Sequence, residues 1–440
     1  MNKMMRNVLA LVAGLGLVTA SGVARADDAS IVEGPGYPVG DGTVVHPTLG
    51  AEMGFTNNVF YQDTDVRMSG LLRLIAEASI ASKEIQKEEA PDPLLEPGEE
   101  APAEPAHQSV EFRAGGRLTY HEYLSSVDFV RAQRTLGIDL NGHLVAAPQG
   151  TVAFAVDEHL YRDTRPTNFE SNQGLNRISN DLALWLRYQP GGRTLQAAVG
   201  WQNQLDYFED TDQRFSNRME NTLRLHSEWE FFPFTKLLAD FNYGFISGLG
   251  SNDLGGMTYK QSAQPIRGGV GIATAITELF TVKAHLGWAY ASYANGAGFN
   301  MPTVGAELGY RYSPMGRFVV LYDLNAYDSV NADFYRDHLL QGKVDQQFGQ
   351  FLATLHADLR LRGYRGISAA IGAPSRDDVI LSIGARGSYI LKDTFAITAD
   401  YHTDVDQSDY RYVVQNMNGP GLDDPSFIRH EVTVGIRAAF

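Results

Sequence analysis

Eleven histidines are spread along the 440 residues, and several precede a carboxylate by two positions. His226 precedes Glu228, His356 precedes Asp358 and His402 precedes Asp404. In a strand, that spacing puts both side chains on one face. Such a pair is the start of a metal site, but polar residues lining a lumen or a barrel rim show the same spacing. Asp157, Glu158 and His159 gather acid and imidazole groups near a strand end, with no nucleophile beside them. The sequence has no G-x-S-x-G, H-E-x-x-H, P-loop or dinucleotide fingerprint. It also has no cysteine, which excludes disulfides, thiolate metal sites, a cysteine nucleophile and a lipid anchor on cysteine. These residues therefore point to no enzyme, no cofactor and no resident metal.

The elements that carry these side chains read as strands. In the final stretch Val432, Val434, Ile436, Ala438 and Phe440 alternate with Glu431, Thr433, Gly435, Arg437 and Ala439. That is the period of two expected of a strand with one apolar and one polar face. The same alternation runs through 351–362, 237–245, 223–231 and 111–120. A charge on a lipid face near the membrane midplane costs roughly 2–4 kcal/mol, so keeping charges to one parity fits lipid outside and lumen inside. Mean hydropathy is −0.22. A helical membrane protein needs about 20 mostly apolar residues per span and could not be so polar. A barrel can, and 44 glycines, 21 tyrosines and 22 phenylalanines suit its turns and aromatic girdles.

Short connections at 148–149, 190–192, 232–233, 277–278, 313–315, 348–349 and 392–393 alternate with longer polar ones near 163–177, 207–214, 248–261, 294–300, 328–334, 363–377 and 407–428. Tight periplasmic turns and longer external loops have this rhythm. The chain is thus expected to be an all-β transmembrane antiparallel up-and-down barrel over 44–440. It has about 18 strands, or 16 if 335–347 does not cross, and its fourth strand is expected over 127–146. A barrel of 16–18 strands encloses water. The inward parity gives the candidate pore lining. Its bases are Arg187, Arg224, Arg360, Arg362, Arg386 and Arg437, and its acids are Glu228, Glu230, Asp240, Asp323, Asp358, Asp400 and Glu431. Mixed signs suit a hydrated, hydroxyl-rich solute better than one type of ion.

The N-terminus reads as an address. Lys3 and Arg6 precede an apolar run at 8–19, and Ala24 and Ala26 supply the small residues of a cleavage site. Residues 1–26 are expected to be a signal peptide, followed by a periplasmic segment over 27–43. Losing Lys3, Arg6 and Arg25 takes the net charge from −16 to −19, which argues against a nucleic-acid partner. An acidic, proline-rich insertion at 82–107 stands where a tight periplasmic turn belongs. It reads as a solvated linker, or else as a docking strap for a periplasmic partner.

The terminal Phe440 resembles the signal that the barrel-assembly machinery reads in outer-membrane proteins, whose lipid would be the remaining partner. At the first strand, Phe55-Thr56-Asn57-Asn58-Val59-Phe60 resembles the opening hairpin of the β-barrel porin type 2 family. That resemblance implies a place in exopolysaccharide and capsule export. Such a porin works as a passive conduit with a periplasmic export protein and co-polymerase. The residues themselves leave two alternatives open: a diffusion porin for small hydrophilic solutes, and a structural or adhesive surface barrel.

Overall fold

A computed structural model of the chain describes residues 32–82 except 33 and 41, 109–163, 176–190, 194–250 except 210, 262–330 except 295, 332–367, 375–416 and 419–440. Ala24, Ala26 and nearly all of the 82–107 insertion lie outside the described residues.

Eighteen barrel strands, with a two-residue strand at Tyr37–Pro38 paired to the first of them, form one antiparallel sheet. They are β1 Thr43–Thr56, β2 Ser69–Ser82, β3 Val110–Leu124, β4 Thr135–Ala146, β5 Val152–Asp163 and β6 Arg177–Tyr188. Next come β7 Leu195–Phe208, β8 Arg218–Phe232, β9 Thr235–Gly248, β10 Ala263–Ala275, β11 Phe280–Tyr293 and β12 Phe299–Ser313. The last six are β13 Gly316–Asp328, β14 Phe334–Phe348, β15 Phe351–Arg365, β16 Ser375–Leu391, β17 Phe395–Ser408 and β18 Phe427–Ala439. Each strand pairs with its sequence neighbour, and β18 pairs with β1 from Thr48↔Ala439 to Thr56↔Glu431, which closes the barrel. The expected count of eighteen holds, and the strand at 335–347 is present. The expected strand over 127–146 is shorter. Asp128–Arg131 forms a helical turn, α1, and β4 begins only at Thr135. The alternation in that region starts after Arg134, and the preceding Asp128-Phe-Val-Arg closes its own turn through Ala132 N–H to Asp128 O at 2.9 Å.

The alternation read from the sequence sorts the side chains. Leu49, Leu74, Leu140, Leu186, Leu225, Val270, Leu286, Leu340, Leu355 and Val434 stand exposed on the outer face, and most other strands contribute one more. An apolar band of that extent would aggregate in water and is at home in lipid. Among the described residues no helix is long and apolar enough to cross a membrane, so the strands do the crossing. At 12–17 residues they exceed the 9–11 or so that a tilted strand needs. The protein is an integral outer-membrane β-barrel. Phe440 follows β18 on the outer face, and its N–H donates to Pro47 O at 3.0 Å.

Two local devices seal the β1–β18 seam. At the extracellular end, Asn58 is fully buried and its Nδ2 donates to Ile428 O at 3.1 Å and to Gln62 O at 2.7 Å. Asn57 Oδ1 accepts the His430 N–H at 2.7 Å. At the periplasmic end the segment before β1 turns into the barrel, where Val32 packs on Ala396 and Ala439. Gly34 and Gly36 have φ of 70° and 67°, and a Cβ on them would strike Ala439 and His46 respectively.

Candidate functional site: the barrel lumen

All thirteen candidate lining residues stand on the inner parity of their strands, but they divide into two groups. Arg362 has no exposed side-chain surface, because Nε and Nη2 fork onto both oxygens of Asp337 at 2.7 and 2.6 Å. Its guanidinium also stacks 4.0 Å from the Tyr335 ring centroid. Arg360 is buried beside Asp358 and Asp337, and Glu228 beside Lys236 at 2.9 Å. Glu431 is covered by Arg73 and Arg429, and Arg437 donates to Glu52 at 2.7 Å. These groups belong to the wall. Cross-strand register satisfies each charge with an opposite one, which offsets the cost of removing it from water.

The other group is wet. His143 and Asp157, 2.5 Å apart, each keep nearly half their side-chain surface exposed, as does His159, whose partner Asp139 keeps over a third. Across the barrel, His285 on β11 is 47% exposed, Lys343 on β14 45% and His402 on β17 40%. Asp240 is 37% exposed and bonds His226 at 2.6 Å, and the Arg386–Asp400 pair at 2.5 Å is about a quarter exposed. These inward side chains stay accessible on several walls of the barrel, so the described residues leave its lumen open. The inward-parity set did not include His143, Asp139, Asp157, His159, His285, Lys343 or His402. Glu158 is separated from Asp157 and His159, since it takes the outer parity and accepts from Asn180 Nδ2 at 2.8 Å.

The extracellular mouth is narrowed by the β13–β14 hairpin. Residues on its outer parity do not meet lipid. Instead they pack on the inner face of the strands before it. Phe334 stacks on Tyr293 at a ring-centroid distance of 6.3 Å and meets Phe299 edge-on at 5.3 Å, and Ala326 sits fully buried with Ala289 and Ala291. Arg267 Nη2 donates to Ala326 O at 2.8 Å. Asp328 accepts from Tyr293 OH at 3.1 Å and pairs with Arg218 of β8. At the tip, Ser216 Oγ donates to Val330 O at 3.3 Å, and Val330 packs on Phe208 of β7. The hairpin therefore leans inward past β12, β11, β10 and β9. Asp333 ties its return leg to the Ala297 N–H at 2.9 Å. Beside the landing point, Arg162 donates to both oxygens of Glu209 at 2.6 and 2.8 Å, which holds that carboxyl below its usual range. The 407–428 connection is long enough to fold inward as a constriction or outward as a contact. It forms a separate two-stranded pair, Tyr412–Asn416 with Gly419–Asp423.

No protein-family model matches the chain, and no curated protein sequence does. Among solved structures it is similar to Pseudomonas aeruginosa OpdK with vanillate, at 9% identity over 90% of this chain and 99% of that one, TM-score 0.46. It is similar to P. aeruginosa OccK2 (OpdF) in complex with glucuronate at 12% identity, covering 90% and 98%, TM-score 0.45. Acinetobacter baumannii OccAB4 gives 13% identity, 91% and 99%, and TM-score 0.46. Scores of this size carry nothing about function, and the barrel stands on its own strand register.

Proposed function

We propose that the protein is a diffusion channel for small hydrophilic solutes. The observation that carries this reading is the inward β13–β14 hairpin set across the mouth of a wet lumen. A channel narrowed by its own wall favours solutes of limited size over a polymer. The wet lining mixes Asp139, Asp157 and Asp240 with Lys343, Arg386 and four imidazoles, which favours neutral or zwitterionic solutes over one type of ion. Export of a surface polysaccharide was implied by the likeness at Phe55 to Phe60. Within that stretch Asn57 and Asn58 have a structural task, clasping β18 at the seam.

Liposome swelling with the reconstituted full chain tests the reading. Swelling is expected with pentoses and hexoses and should fall steeply for trisaccharides, while a deletion strain should keep its surface polysaccharide. If monosaccharides do not enter and the deletion strain loses its polysaccharide, the export reading takes its place.

A further inference from the structure

We infer that the lumen carries a site for one divalent transition-metal ion, built from His356 of β15 and His402 of β17 on either side of Gly384 of β16. The register puts the three residues on one rung, His356↔Gly384 and Gly384↔His402. Alternate strands in a sheet stand roughly 9–10 Å apart, too far for imidazoles to meet over an intervening side chain. The missing side chain at Gly384 removes that obstacle, since a Cβ there would run into the His356 ring. The two rings approach to a centroid distance of 5.9 Å with a 32° tilt.

That spacing fits a shared ion. With Zn–N bonds of about 2.0–2.1 Å, two imidazoles on one tetrahedral ion stand with centroids roughly 5–6 Å apart. His402 Nε2 faces Asp404 Oδ1 at 2.8 Å, the carboxylate–imidazole arrangement that orients a ligand and leaves Nδ1 for the metal. Asp404 is itself held by Ser382 Oγ at 2.8 Å. His356 has no hydrogen-bond partner among the described residues. No three ligands already converge on one point among those residues, so water from the lumen completes the coordination shell. Imidazole ligands select zinc, copper or nickel over magnesium or calcium. Lys343 neighbours His356 on the same rung, and Asp345 at 3.3 Å offsets its charge.

The test uses the full-length barrel in planar bilayers with zinc chloride as the probe. Zinc is expected to lower the single-channel conductance saturably, and EDTA should restore it. His356→Ala and His402→Ala should each raise the half-effective zinc concentration by about tenfold or more. Gly384→Ala, which keeps both ligands and pushes one ring aside, should do the same. His226→Ala should leave the response intact. Copper bound to the wild type should show two-nitrogen coupling by electron paramagnetic resonance, and one nitrogen in either variant. An unresponsive wild-type channel, or wild-type zinc sensitivity kept in both ligand variants, overturns the site. Channels that conduct normally show that each variant has folded.

Discussion

Replacing Asp328 by alanine is expected to raise the single-channel conductance and admit larger solutes. Asp328 is the ionic anchor between the leaning hairpin and β8, through Arg218, and it also receives the Tyr293 hydroxyl. Arg218 keeps Asp206 at 2.8 Å after the change, so it is not stranded as an unpaired charge. The loss is then that of hydrogen bonds to a charged group, about 1.5–3 kcal/mol. At about 1.4 kcal/mol per tenfold, the fraction of hairpins lifted off β8 rises roughly 10- to 100-fold. The apolar contacts of Phe334 and Val330 still favour the closed position, so noisy, interconverting conductance levels are expected. Removing 329–333 should fix the open level. Wild-type conductance in both variants would mean that the hairpin does not limit flow.

Arg362→Ala is expected to cost the most stability of any change in the lumen wall. Breaking a buried charge pair by deleting one partner costs about 3–5 kcal/mol. Arg360 Nη1 lies 3.7 Å from the same Asp337 carboxylate, which keeps the loss near the lower end. The stack on Tyr335 and the contact with Tyr364 are lost as well. Arg362→Lys keeps the charge but replaces a two-pronged donor by a single one, so it should fall between the two. Urea unfolding of the detergent-folded barrel measures both. Arg386→Ala serves as the comparison, because its quarter-exposed pair with Asp400 should cost about 1 kcal/mol or less. Equal midpoints for the Arg362 and Arg386 variants would contradict the division into wall and wet lining.

The barrel was legible because a period of two recurs wherever one face meets lipid, and a wrong parity would place charges such as Arg360 and Arg362 there. The inner set was legible for the same reason. The split of that set was not, because it depends on register: Arg362 is sealed since Asp337 stands opposite on β14, which spacing within one strand cannot reveal. The leaning hairpin was also hidden. Its anchor joins residues 110 positions apart, and 328–334 reads as one more polar loop. A signal was available nearby, since the inner positions of β11 run Gly287, Ala289 and Ala291 and leave room for a second layer. The histidine pair escaped for a similar reason. Each histidine was weighed against the carboxylate on its own strand, whereas its neighbour lies across Gly384.

The most direct measurement is conductance of the reconstituted wild-type channel with poly(ethylene glycol) of graded size on the extracellular side. Small polymers should enter the lumen and lower the current, and exclusion should set in abruptly at the size the hairpin admits. Removal of 329–333 should shift that cutoff upward. A barrel that carries no ohmic current, or one that admits long polymer with the hairpin in place, would contradict a narrowed, water-filled channel for small solutes.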